Sequence, residues 1–164
     1  MSRRRRLPYD ASTCFSFAIS ETECAVGVVA RSNGRGTILV YFFAPWRTDV
    51  ALADLTALTP AHATLVCRAG DLGLLEGKWR ILGPLPGWVR DGWPVPVFGQ
   101  QDVLRSHIWY AIHYDDNTLS EQWRERVPGE AGAQLPEDGL NGYVAAEIGV
   151  RQKLGLMPTS PRRT

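Results

Sequence analysis

The chain has 164 residues, 45% hydrophobic and 21% charged, the make-up of one globular domain long enough to bury a core without disulfide staples. Its formal net charge of +1 hides an uneven distribution: Arg3–Arg6, Arg162 and Arg163 sit at the two ends, and the body between them is acidic. An acidic body disfavours nucleic acid, and no run approaches the ~18 apolar residues of a membrane span. The three scattered cysteines, Cys14, Cys24 and Cys67, fit neither a zinc spacing nor a disulfide framework.

With 16 glycines and 11 prolines, the chain should consist of short elements joined by turns. Residues 1–10 read as a disordered basic arm. Pro8, Tyr9 and Asp10 interrupt its faint likeness to an export signal, so export is not expected. A single domain is expected over residues 11–155, with a disordered tail over 156–164. Thr13–Ser20 and Glu23–Ser32 are β-type runs separated by Glu21-Thr22, and Asn33-Gly34-Arg35-Gly36 is a turn into a third strand, Thr37–Phe43. Because Thr37–Phe43 is continuously apolar and aromatic, it should be central and covered on both faces. Pro45-Trp46 should end this antiparallel meander.

Val50–Leu58 has helix-like spacing stopped by Pro60, and His62–Ala69 reads as the next strand. Asp71–Gly77 is turn-rich, Trp79–Leu82 a brief strand, and Gly83–Pro96 an irregular loop lying along the sheet. His107–Tyr114 alternates cleanly, with Ile108, Tyr110, Ile112 and Tyr114 on one face and His107, Trp109, Ala111 and His113 on the other. Asp115-Asp116-Asn117 turns the chain. Thr118–Arg126 is either a strand or one to two helical turns. Pro128–Pro136 reads as a loop, and Gly139–Leu154 as a helix with Asp138 or Asn141 as N-cap. The expected fold is α+β and mainly β: a twisted antiparallel sheet of about six strands, open or curled into a partly open barrel, with a C-terminal helix.

The sequence carries few motifs of catalytic chemistry. There is no GxSxG elbow, CxxC pair or Gly-rich phosphate loop before a helix. His107 and His113 share a strand face but stand roughly 20 Å apart along it, too far to hold one metal directly. Asp115 and Asp116 are neighbours whose side chains should diverge, as in an ordinary turn pair. No catalytic, cofactor-binding or metal-binding residue is therefore assigned, and no enzyme is expected. Reduced, packed thiols fit a cytoplasmic protein. From Asp115 to Glu147 there are eight acids against Arg124 and Arg126, a band suited to a basic partner. Trp88 and Trp93 bracket the Gly/Pro loop, where an exposed ring would serve as an interface anchor.

The order of these elements resembles the immunity protein 26 family of bacterial polymorphic-toxin systems. The resemblance lies in the strand Cys14–Ile19, the stretch Ala25-Val26-Gly27-Val28-Val29, and the third strand to Phe43. It continues through the segment Lys78–Pro86 (KWRILGPLP), Pro96-Val97-Phe98, and Trp109–Tyr114 with its Asp turn. The first hairpin, Ser-Glu-Thr-Glu, departs from the glycine-containing turn expected of the family. The resemblance implies a protein that binds and neutralises a cognate toxin in the producing cell. Together with the acidic band and the Trp loop, it makes Trp88, Asp91, Trp93, Asp115, Asp116, Glu121 and Glu125 the candidate partner-binding residues. In the Lys78–Pro86 segment, Trp79 and Ile81 are expected to pin the strand, while Gly83, Pro84 and Pro86 launch the loop. Two other readings stay open: a nucleic-acid-associated module using the arginine arm, and a hydrolase.

Overall fold

A computed structural model describes residues 6–159. Three antiparallel strands form its centre, β1 (Thr13–Ala18), β2 (Glu23–Ser32) and β3 (Thr37–Arg47). They are flanked by β4 (Leu65–Gly70) on one side and β5 (Arg80–Pro84) on the other. The order β5-β1-β2-β3-β4-β9 makes a six-stranded sheet, mixed rather than purely antiparallel because the two-residue β9 (Leu140–Asn141) runs parallel to β4. A second sheet of three antiparallel strands, β6 (Phe98–Gln101), β7 (Trp109–Tyr114) and β8 (Glu121–Val127), stands beside it, and the two do not close into a barrel. The helices are α1 (Leu72–Leu75), α2 (Gly129–Gln134) and α3 (Tyr143–Lys153).

The central sheet is covered on both faces, which is why β2 and β3 read as near-continuous apolar runs. On one face Phe15, Phe17, Phe42 and Trp79 cluster beneath Ala146 and Val150 of α3. Trp79 is fully buried and stacks on Phe15 with ring centroids 4.5 Å apart and planes 8° from parallel. The other face packs Val26, Val28, Leu39 and Phe43 against Leu55, Leu85, Trp93 and Phe98, so the loop after β5 and the second sheet both lie on this side. Gly27, opposite Phe15 in the β1–β2 register, leaves room for the phenyl ring.

The meander, its turn and the faces of β7 agree with the sequence reading. Several boundaries differ for identifiable reasons. Pro45-Trp46 does not end β3, because Trp46 and Arg47 still pair with Cys24 and Glu23 beyond a β-bulge that Ala44 and Pro45 make in β3. The helix expected over Val50–Leu58 contracts to a 3₁₀ turn, Leu52–Leu55, with only Leu55 buried. The loop Pro128–Pro136 contains α2, whose Gly132 lets the helix lie directly on the Trp109 ring. The final helix begins at Tyr143, not Gly139, with Gly142 as N-cap; Leu140 and Asn141 are drawn into the sheet as β9. Its buried residues are Ala146 and Val150, while Val144 is exposed. Ile81 is exposed, so Trp79 alone of that expected pair anchors its segment. The arm over residues 1–10 lies outside the described residues through residue 5, but Tyr9 is buried and its hydroxyl donates to Asp71 Oδ2 at 2.7 Å. Residues 160–164 of the tail also lie outside the described residues.

Candidate functional site

The loop after β5 and the β7–β8 turn meet, joined by two arginines. Arg31, on β2, is 3% exposed and donates from Nε to Asp116 Oδ1 at 2.9 Å. Its Nη1 donates to the carbonyls of Ala30 (2.7 Å) and Trp93 (2.9 Å), and its Nη2 to that of Arg90 (3.4 Å). Arg90 grips the turn from outside, with Nη2 2.6 Å from Asp116 Oδ2 and 3.0 Å from Asn117 Oδ1. Burial pushes the Asp116 carboxyl up, but hydrogen bonds from Arg90 and Arg31 outweigh it, and the pKa falls below its ordinary 3.8. A lone arginine inside an apolar strand run was the one sequence signal for this bracket, since buried arginines are almost always paired.

The candidate residues fall into three environments. Trp93 is buried, edge-on to Tyr41 (5.4 Å) and Phe43 (6.0 Å), so it anchors the loop to the core and offers no exposed ring. Trp88 is half-buried, its Nε1 enclosed without a partner, and Asp91 stands exposed on the 3₁₀ turn Arg90–Gly92. Asp115 closes the β7–β8 turn by accepting from the backbone N–H groups of Asn117 (2.9 Å) and Thr118 (2.6 Å), which hold its pKa down. Asp115 and Asp116 therefore do different jobs, capping and bracing.

Glu121 and Glu125 lie on β8, settling the choice between strand and helix. Glu121 is paired with Arg124, Oε2 to Nη2 at 2.9 Å, and its pKa is lowered by that hydrogen bond. Glu125 stands 3.7 Å from His113 Nε2 on the neighbouring strand. Between them is Trp123, to which the sequence, open between strand and helix there, assigns no face. It is 49% exposed and stacks on His113, rings 3.7 Å apart and 7° from parallel. Trp123 and Glu125, backed by the half-buried His113, thus form one exposed aromatic and acidic patch on the outer face of the second sheet.

On the inner side of that sheet Arg68 reaches from β4 to join the two sheets. Its guanidinium lies 3.8 Å over the Tyr114 ring, and Nη2 donates to the Tyr114 hydroxyl at 2.8 Å. That hydroxyl donates in turn to Asp138. Burial and the Asp138 bond both raise the Tyr114 pKa. A cleft of about 580 Å³ opens nearby between β6 and α3, lined by Gln100, Asp102, Trp109, Asp138 and Lys153 among others. Among the described residues no group of three or more His, Cys, Asp or Glu side chains could hold a metal ion. No helix among them is long and apolar enough to cross a membrane.

No curated protein and no solved structure matches the chain. A family model described as Immunity protein 26 matches residues 13–124, more than half of the sequence, from the first residue of β1 into β8. The matched span holds β1 to β7 whole and β8 as far as Arg124, together with the Arg31 bracket and the His113–Trp123 stack. The chain belongs to the immunity protein 26 family.

Proposed function

We propose that the protein is an immunity protein that binds a cognate bacterial toxin domain and neutralises it in the cytoplasm of the cell that makes it. Membership of the immunity protein 26 family carries this reading. The immunity function is one of binding, which needs a rigid scaffold presenting a fixed surface, and the two-faced core with its Arg31 bracket supplies rigidity. The contact surface we propose centres on the β7–β8 turn and β8, with Asp91, Asp115, Glu121 and Glu125 facing basic groups of the toxin. Trp88 and the Asp116 bracket fix its geometry. Trp93 acts from beneath, by holding the loop. Trp123 adds the exposed ring that Trp93 does not provide. An aromatic ring flanked by carboxylates suits a basic partner, since charge complementarity steers association and the ring excludes water at its centre.

The test is co-expression with the toxin domain encoded beside the gene for this protein. Cells that make the toxin domain should survive only when this protein is made with it, and the two chains should co-purify. Unchanged toxicity and no complex at micromolar concentration would overturn the proposal.

A further inference from the structure

The outer strand of the second sheet has an unpaired edge. β8 pairs with β7 on one side, and among the described residues no strand or loop pairs with it on the other. Its residues Glu121–Arg126 are all exposed, without proline or glycine, over the length of an ordinary strand. Exposed edges of this kind are templates for a further strand, and proteins usually blunt them. Four charged side chains and a bulge at Gln122 protect this edge in part, yet between them it carries an exposed tryptophan held flat by the His113 stack.

Its charges disfavour a second copy. A two-fold pairing of β8 with itself centred on Arg124 sets two guanidinium groups opposite each other. Centred on Glu125 it sets Glu125 on its own copy and Arg124 against Arg126, and a register centred on Trp123 cannot run regularly past the bulge at Gln122. Every regular two-fold register pairing five or more strand residues thus brings like charges opposite, which is destabilising. The pattern suits a different chain. On the outer face Trp123 and Glu125 call for an apolar or aromatic residue followed by a base. On the inner face Arg124, already over the Tyr110 ring, and Arg126 call for acids.

We propose that β8 is extended by an antiparallel strand from the toxin, an extended segment alternating basic or aromatic with acidic residues. This deepens the immunity reading and rests on it for the partner's identity. Main-chain hydrogen bonds supply affinity in such strand addition and alternate side chains supply selectivity.

Hydrogen exchange of the protein, free and bound to the co-purified toxin domain, tests this directly. Alternate amides of residues 121–127 should slow by about tenfold or more on binding. Trp123→Ala and Glu125→Arg should each weaken the complex by about tenfold or more while lowering the free protein's thermal midpoint by only a few degrees, through the lost His113 contacts. A complex in which β8 amides keep their free exchange rates overturns the strand addition and leaves the immunity function intact. Dimerisation of the free protein that protects the same amides also overturns it. A second probe does not depend on the toxin: the peptide Val-Glu-Lys-Glu-Tyr-Thr-Lys should perturb the backbone amides of β8. If it perturbs them no more than a peptide with its charges exchanged, the edge has no such selectivity.

Discussion

Arg31 and Asp116 are 85 residues apart in sequence, and their side chains meet at 2.9 Å with the guanidinium sealed from solvent. The same guanidinium holds the carbonyls of Arg90 and Trp93, so one buried cation ties β2, the loop after β5 and the β7–β8 turn together. The two partners are not equivalent, because the Asp116 side chain is 52% exposed and that of Arg31 only 4%.

Replacing Arg31 should therefore be much costlier than replacing Asp116. Arg31→Met keeps the apolar stem but strips three carbonyls and a carboxylate of their donor, at a cost of about 2–4 kcal/mol. Asp116→Asn, at a half-solvated site with carbonyls still receiving the guanidinium, should cost about 1 kcal/mol or less. Urea denaturation followed by tryptophan fluorescence checks both. Equal losses for the two variants would show that Arg31 is not the centre of the bracket.

A methyl group at Gly27 would stand 2.1 Å from Phe15 Cζ, and the phenyl ring cannot retreat because Trp79 is stacked behind it at 4.5 Å. Gly27→Ala should then lower stability by about 1–3 kcal/mol through overpacking. Gly92→Ala, where no atom lies within 4 Å of the added carbon, is the control and should leave stability nearly unchanged. The thermal midpoints of the two variants give the comparison.

The three thiols should be silent until the protein opens. Burial pushes both Cys14 and Cys67 from 9.0 up to about 12, and Cys24 is raised by burial and then by the nearby Asp49 carboxylate. A shift of that size leaves about a thousandfold less thiolate near neutral pH, and the thiolate is the reactive form. A thiol reagent should label the native protein at its unfolding rate and the urea-unfolded chain at once. Rapid labelling of Cys67 in native protein would contradict the packing of β4.

The meander was readable because β-branched and aromatic runs, broken by Asn-Gly, signal strands locally. β6 was not: Phe98–Gln101 is four residues with glycine inside, and it becomes a strand only because β7 lies beside it. The same dependence on distant partners hid β9, drawn into a parallel bridge by β4. Lys78–Pro86 was legible as a signature, and the structure gives its physical sense in the Phe15–Trp79 stack above Gly27. At the candidate site, the tryptophan flanked by Gly and Pro, Trp93, proved a core anchor. The exposed ring is Trp123, whose neighbours Glu121, Arg124 and Glu125 also fit the spacing of a solvated helix. Telling an edge strand from a helix there required the pairing with β7.

Stability should fall in alkali, with a sign fixed by buried protons. Burial, with the hydrogen bond to Asp71, raises the Tyr9 hydroxyl from 10.0 to about 12, and burial raises Tyr41 by a similar amount against the opposing Arg31 charge. Tyr114 moves in the same direction. A folded-state pKa above the unfolded value means that the native protein keeps protons the unfolded chain gives up. That stabilisation is complete below the unfolded pKa and is lost as pH rises through the folded one. Cys14 and Cys67, raised from 9.0, begin the loss, and the tyrosines continue it from 10.0 to about 12. The urea midpoint should thus fall from pH 9.0 and more steeply above 10.0, the unfolded values of thiol and phenol. Tyr9→Phe, although less stable near neutral pH for want of the bond to Asp71, should show a shallower fall. A midpoint that held constant to pH 12, the raised tyrosine value, would mean that these hydroxyls titrate in the native state as freely as in the unfolded chain.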